Sequence, residues 1–237
     1  MPVQDIFIQG RLEMSAVPLP EGAAEILWRD TDINRVLTVI AVLIGIAGIR
    51  ELFRLMPALA FTFSRTRATV SLEYNTSMVR TRNSAALACI LPFCLVADRF
   101  GLLRPEIWSA VPAEWSVAAT AGVMLAYLLL RSMCAAAIRL PRMDSLSEAA
   151  VHRAPWNYFI LLTILMLATA GILPAAGADD RLTRLVLYVE AALLYLLSLV
   201  RTGQILAGSF SGLSTILYLC GLELLPTAAL AACAIFL

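Results

Sequence analysis

The chain has 237 residues, of which 60% are hydrophobic and 15% are charged, and its mean hydropathy is +0.83. Soluble domains average roughly 45–50% apolar and about 25% charged residues, and disordered chains are poor in apolar residues, so this composition excludes both classes. The net charge of +1 provides no basic field for nucleic acid. The composition predicts an all-α, polytopic transmembrane helix bundle whose main partner is the lipid bilayer.

The N-terminal tail, residues 1–35, holds more acidic residues than arginines and does not fit a signal peptide. Six apolar segments follow it and form one domain, with spans predicted near residues 36–55, 84–97, 115–138, 156–176, 182–200 and 213–237. Pro57 is expected to end the first span. Residues 56–83 then form the longest loop, which is either an interfacial segment or a plain positively charged loop that only sets topology.

The distribution of arginines predicts the orientation. When alternate loops are assigned to opposite sides, one side carries eleven arginines and the other, which includes both chain ends, carries seven. The arginine-rich side is predicted to be cytoplasmic. The four tryptophans lie at the ends of apolar runs and are expected to be interfacial anchors: Trp28, Trp108, Trp115 and Trp156.

Two carboxylates fall near the centres of their spans, Glu190 in the fifth and Glu223 in the sixth. A charge at this depth costs about 2.5–3.5 kcal/mol on insertion scales, so each must be neutral, paired or hydrated. One hypothesis is a proton or cation path that uses both residues. The alternative is that both are hydrogen-bonded groups that hold helices together inside the bundle.

Pro226 draws attention to Glu223, because a proline leaves the carbonyl four residues earlier, here that of Leu222, without its helical partner. This carbonyl and the glutamate therefore share one helical turn that suits a hydrogen-bond donor. Arg131, in the third span, is the intramembrane cation best placed to be that donor. The simpler expectation is that Arg131 extends toward the cytoplasmic surface.

The sequence offers little catalytic or ligand-binding chemistry. His152 is the single histidine, and the five cysteines show no CxxC spacing, which argues against a metal site or a disulfide framework. The run Gly208–Gly212 lacks the order of a serine-hydrolase elbow. We therefore predict no catalytic residue, no cofactor and no metal, and a lipid-processing enzyme is the least favoured function.

The run Leu217–Pro226 reads Leu-Tyr-Leu-Cys-Gly-Leu-Glu-Leu-Leu-Pro. It resembles the C-terminal signature of an uncharacterised bacterial inner-membrane family, a domain of unknown function, although Gly221 stands where an alanine is expected. The resemblance implies that Tyr218, Cys220, Glu223 and Pro226 are motif positions. It also implies a multi-pass protein of the bacterial inner membrane but no activity. In that membrane, the arginine distribution predicts that both termini are periplasmic.

Small residues suggest how the protein acts. Gly45 and Gly48 in the first span, Ala118 to Gly122 in the third, and the Ala-rich run after Pro226 allow close helix contact. The favoured function is a non-enzymatic structural or accessory component of a membrane assembly, with other membrane proteins or a homo-oligomer as partners. The alternative is a small proton-coupled transporter that uses Glu190 and Glu223.

Overall fold

The computed structural model describes residues 31–64, 73–103, 111–138 and 143–236. Within these ranges the chain forms helices and no strand, and six helices are long and apolar enough to cross a membrane. The predicted all-α bundle of about six spans is confirmed. The predictions for residues 1–30, with Trp28, and for Trp108 lie outside the described residues.

Five long helices precede a sixth span that is not a continuous α-helix. The long helices are α1 (Asp32–Ser64), α2 (Thr76–Arg99), α3 (Ser116–Ala137, preceded by a 3₁₀ turn at Ala113–Trp115), α4 (Ser145–Ala175) and α5 (Asp180–Ala207). The sixth span consists of α6 (Gly212–Leu219), a π-helical segment (Cys220–Leu224) and α7 (Leu225–Phe236).

Local sequence signals define several helix ends. Asn75 and Asp144 are the N-caps of α2 and α4, and each side chain accepts a hydrogen bond from a backbone N–H three residues later. Hydrogen bonds from the Ser147 side chain and backbone lower the pKa of Asp144. Just past the ends of α2 and α4, Gly101 and Gly177 have φ values of 61° and 81°, a left-handed conformation that favours glycine.

The first helix does not end at Pro57, and that prediction is wrong. Pro57 lies inside α1, which continues to Ser64. The helix continues because Leu55 and Leu59, on either side of the proline, are fully buried in one cluster with Ala86 of α2 and Ile160 of α4. This packing offsets the lost backbone hydrogen bond.

The predicted boundaries of the loop at residues 56–83 are also wrong, at both ends. Residues 56–64 belong to α1 and residues 76–83 to α2, while residues 65–72 lie outside the described part of the chain. Helix α2 therefore takes in a polar first third, residues 76–83, ahead of its apolar run of 84–97. This extension gives a 14-residue apolar run the ~20 residues that a span needs.

Trp156 does not begin its helix. Helix α4 begins at Ser145, so Trp156 lies well inside it, and the indole packs edge-on against Phe159. Its role as an interfacial anchor stays a prediction. Trp115 does stand at the start of α3, and it is 63% exposed.

The packing order determines which helices can form a site. Helix α4 packs against α2 and α5, α2 also packs against α1 and α3, and α3 packs against the π-helical segment and α7. Helix α1 packs mainly on α2 and is the least buried of the six spans, with 6% of its most apolar window buried. The centre of the bundle therefore lies among α2, α3, α4, α5 and the last span.

Candidate functional site

A buried ion pair joins α3 to the last span. The Arg131 Nη2 lies 2.7 Å from Glu223 Oε1, and the Arg131 Nε lies 3.5 Å from Oε2. The Arg131 and Glu223 side chains are only 14% and 4% exposed. Nη2 also donates to the backbone carbonyl of His152 on α4 at 3.2 Å. The guanidinium thus connects three elements of the bundle.

The pairing resolves the two expectations for Arg131. The simpler one, in which its side chain extends to the cytoplasmic surface, is wrong, because the guanidinium is engaged by Glu223 inside the bundle. The physical reason is that Glu223 pairs with no other cation among the described residues, and leaving either charge unpaired in the interior of the bundle costs several kcal/mol. The structure therefore brings together two of the predicted site residues.

The backbone at Glu223 is also held in place. Its carbonyl accepts hydrogen bonds from the Thr227 hydroxyl at 2.7 Å and from the Tyr195 hydroxyl at 3.2 Å. The two hydroxyl oxygens are themselves 2.5 Å apart. Tyr195 belongs to α5, so this network ties a fourth helix to the ion pair.

The π-helical segment is the local cause of this arrangement. The backbone N–H of Leu225 donates to the carbonyl of Cys220, a five-residue separation that widens the turn. Pro226 follows directly and has no N–H to donate, which favours a wider turn at this point. Such single-turn π segments occur frequently at functional sites.

The other residues of the C-terminal motif make no hydrogen bond to the ion pair among the described contacts. The Tyr218 ring packs against Phe210, with centroids 4.8 Å apart, at a hydrophobic cluster that includes Leu222 of the π-helical segment. Cys220 is exposed, and Pro226 is buried. A Cβ placed on Gly221 would lie 2.5 Å from Ile138 Cδ1, the flexible end of a side chain that would have to shift.

A cavity of about 200 Å³ lies beside the ion pair. It is bordered by α2, α3, α4, α5 and α7, and both Arg131 and Glu223 line it. Most of its remaining wall is apolar or aromatic, and five lining residues carry hydroxyl groups: Tyr127, Tyr158, Tyr195, Ser198 and Thr227. The cavity is therefore a largely apolar chamber, and we call the part of its wall formed by Arg131 and Glu223 its polar end.

Glu190 occupies a different environment. It does not line this cavity; its Oε1 accepts a hydrogen bond from the Thr169 hydroxyl of α4. Its Oε2 is buried and has no hydrogen-bond partner among the described residues. The two mid-span carboxylates therefore do not face a common chamber.

Sequence reasoning missed a second buried ion cluster. Glu73, ahead of α2, contacts Arg82 Nη1 of α2 through Oε1, and Arg153 Nη1 of α4 lies 3.0 Å from its Oε2. The Glu73 and Arg82 side chains are 2% and 1% exposed. No sequence signal pairs these residues, because Glu73 lies in a stretch that reads as a loop.

A third polar cluster links α2 to α3. The Asp98 carboxylate accepts hydrogen bonds from Ser116 at 2.7 Å and Thr120 at 3.3 Å. Ser116 and Thr120 are four residues apart and so share one helix face, which is a signal that could have been found from the sequence. Within the described ranges, no three His, Cys, Asp or Glu side chains cluster closely enough to hold a metal ion.

No protein-family model matches this chain, and no curated protein and no solved structure matches it either. The resemblance of residues 217–226 to the uncharacterised inner-membrane family therefore stays a prediction.

Proposed function

We propose that this integral membrane protein is a non-enzymatic structural or accessory component of a membrane assembly, in which α1 docks against a further transmembrane helix. The observation that carries the proposal is the surroundings of Gly45 and Gly48. A Cβ placed on either glycine would meet nothing within 4 Å in the described part of the chain.

Glycine inside a helix costs about 0.5–1 kcal/mol relative to alanine. In membrane helices, glycine and other small residues usually allow another helix to approach closely, and this contact offsets the cost. Gly45 and Gly48 are three residues apart and share a face, and no described residue lies within 4 Å of a Cβ placed on either of them. A helix from another copy or another protein would provide the missing contact.

The position of α1 supports the same proposal. It is the most apolar of the spans, with a mean hydropathy of 2.2 over its most apolar window, and it packs mainly on α2. Its outer surface includes Val42, Leu43 and Ile46, each more than half exposed. Among the described residues, the other five spans line the cavity beside the ion pair, whereas α1 contributes no residue to it.

The proposal also includes the orientation of the chain and its location in the bacterial inner membrane. Eleven arginines lie on the side predicted to be cytoplasmic, so both termini are periplasmic in a bacterial inner membrane. Reporter fusions at each chain end test this topology directly. Cytoplasmic activity of an N-terminal reporter would contradict it.

The docking test replaces both Gly45 and Gly48 by leucine. Leucine at these sites meets open space within the chain, so the bundle should unfold at an unchanged or higher denaturant concentration. The assembly, measured as the particle mass of the solubilised protein by native electrophoresis and light scattering, should be lost.

Gly171→Leu on α4 is the matched control, since Gly171 also meets nothing within 4 Å but has no second glycine on its face. It should leave the particle mass unchanged. A particle mass that is the same in the wild type, the double variant and the control would overturn the docking proposal. The mass of the lost partner distinguishes a second copy from a different protein.

A small proton-coupled transporter is the second candidate, favoured because Glu223 lines a chamber at a point where its helix is irregular, and irregular helices supply the binding sites of many transporters. Glu190 does not line that chamber, so Glu223 would act without it. Glu223→Gln should then abolish proton uptake into proteoliposomes at normal protein level, with Glu190→Gln as the control. Loss of protein level alone supports the packing role.

A further inference from the structure

The chamber beside the ion pair has the size of a small-ligand site. Its volume of about 200 Å³ exceeds that of an engineered apolar cavity of roughly 150 Å³ that binds benzene. A molecule of one or two fused rings occupies a volume of this order. Neither the docking role of α1 nor the predicted topology explains why a bundle should keep such a space at its centre.

The walls of the chamber favour a flat ring. Aromatic side chains from α2, α3, α4 and α5 line it: Phe93, Tyr127, Trp156, Tyr158, Phe159 and Tyr195. Phe93 and Phe159 already pack with ring centroids 5.2 Å apart, and Trp156 meets Phe159 edge-on at 5.9 Å. Offset and edge-to-face contacts of this kind stabilise aromatic rings beyond the effect of the area they bury.

The polar end of the chamber favours a neutral ligand. Arg131 and Glu223 carry opposite charges and neutralise each other at 2.7 Å. An anionic or cationic ligand would have to separate this pair in a dry interior, which is costly. A ligand without net charge leaves the pair intact.

The same end supplies a hydrogen-bond donor. Arg131 donates its hydrogen bonds through Nε and Nη2, and its Nη1 has no partner among the described residues. A guanidinium donates hydrogen bonds and cannot accept them, so the matching ligand group is an acceptor such as a carbonyl oxygen.

We propose that the chamber binds a neutral, flat, carbonyl-bearing ring compound of the quinone type, whose oxygen accepts a hydrogen bond from Arg131. The aromatic walls hold the ring, and the ion pair fixes its carbonyl end. This binding site goes beyond the assembly role and does not rest on it, since the glycines of α1 lie on a different helix from the chamber lining.

The test uses the full chain in detergent with Trp156 as its single tryptophan, after Trp28, Trp108 and Trp115 are changed to phenylalanine. The probe is 2,3-dimethyl-1,4-naphthoquinone, whose methyl groups block addition of the free cysteine thiols. Binding beside Trp156 should quench its fluorescence saturably, with one site per chain.

Ala191→Phe and Ala192→Phe form the decisive pair of variants. Ala191 lines the chamber, whereas its neighbour Ala192 is exposed and does not line it. Filling the space at Ala191 should weaken binding at least tenfold, and Ala192→Phe should leave it unchanged. Linear, unsaturated quenching that is equal in both variants would show only partition into detergent and would overturn the proposal.

A comparison of two probes on the single-tryptophan chain needs no chamber variant that could fail to fold. The neutral naphthoquinone should raise the thermal unfolding midpoint, since a ligand that binds only the folded state stabilises it. The anion 2-naphthoate, of similar ring size, should not. Tighter binding of 2-naphthoate than of the quinone would overturn the neutral-ligand inference.

Discussion

Glu190 and Glu223 are alike in the sequence and different in the bundle. Both stand near the middle of an apolar helix, and the insertion cost predicts that neither is an exposed charge. In the structure Glu223 pairs with Arg131 and lines a chamber, whereas Glu190 meets one threonine hydroxyl and keeps a buried oxygen without a partner in the described residues. A buried carboxylate therefore acquires its role from the helix packed against it and not from its depth.

The difference has a local origin in the two helices. Glu190 lies in a regular stretch of α5, where its neighbour across the interface is Thr169. Glu223 lies in the π-helical segment, and its backbone carbonyl is held by Tyr195 and Thr227. The wider turn and its hydroxyl partners give Glu223 a fixed position against Arg131. Three predictions test this difference between Glu190 and Glu223.

The largest effect is expected from breaking the ion pair. Arg131→Leu leaves the Glu223 carboxylate buried without its cation, and removal of one partner of such a pair costs about 3–5 kcal/mol. Denaturant unfolding in detergent micelles measures the change in the free energy of unfolding. A loss below about 1 kcal/mol would mean that the charges are hydrated and not mutually dependent.

Replacing both partners should restore most of that loss. In the double variant Arg131→Met, Glu223→Leu, no charge is left unpaired, and such apolar replacements are often neutral or stabilising. The free energy of unfolding should therefore return to within about 1 kcal/mol of the wild type, as a double-mutant cycle would show. Additive losses in the double variant would contradict mutual pairing and indicate that each side chain packs independently.

The smallest effect is expected at Glu190. Glutamine keeps an oxygen for the Thr169 hydroxyl, and hydrogen bonds between membrane helices average about 0.6 kcal/mol. Glu190→Gln should therefore change the free energy of unfolding by less than about 1 kcal/mol, measured under the same conditions. A loss as large as that of Arg131→Leu would remove the contrast between the two carboxylates.

The fold was predictable from the sequence to the level of six spans, because composition and the length of apolar runs determine it. The ends of the spans were not, since Pro57 stays helical through the packing of Leu55 and Leu59, and α4 begins at a capping aspartate well before its apolar run. Both errors arise where tertiary contacts or a cap outweigh hydropathy.

Several residues of the candidate site could be predicted from the sequence, but the contacts between them could not. Glu223, Pro226 and Arg131 stand out because each conflicts with an apolar helix, and Thr227 follows Glu223 at the spacing of a hydroxyl that bonds the carbonyl four residues back. Tyr195 and the Glu73 cluster carried no such signal. Their contacts join residues that only the packing of distant helices brings together.

The π-helical segment also affects the length of the last span. A π-helical turn holds one residue more than an α-helical turn, so deleting a single residue between Cys220 and Leu224 would let the span close as a regular α-helix. The helices α6 and α7 on either side would keep their phase, and only the widened turn that carries Glu223 would be lost. The extra residue of this turn therefore serves the position of the glutamate opposite its arginine and is not needed for the span as a whole.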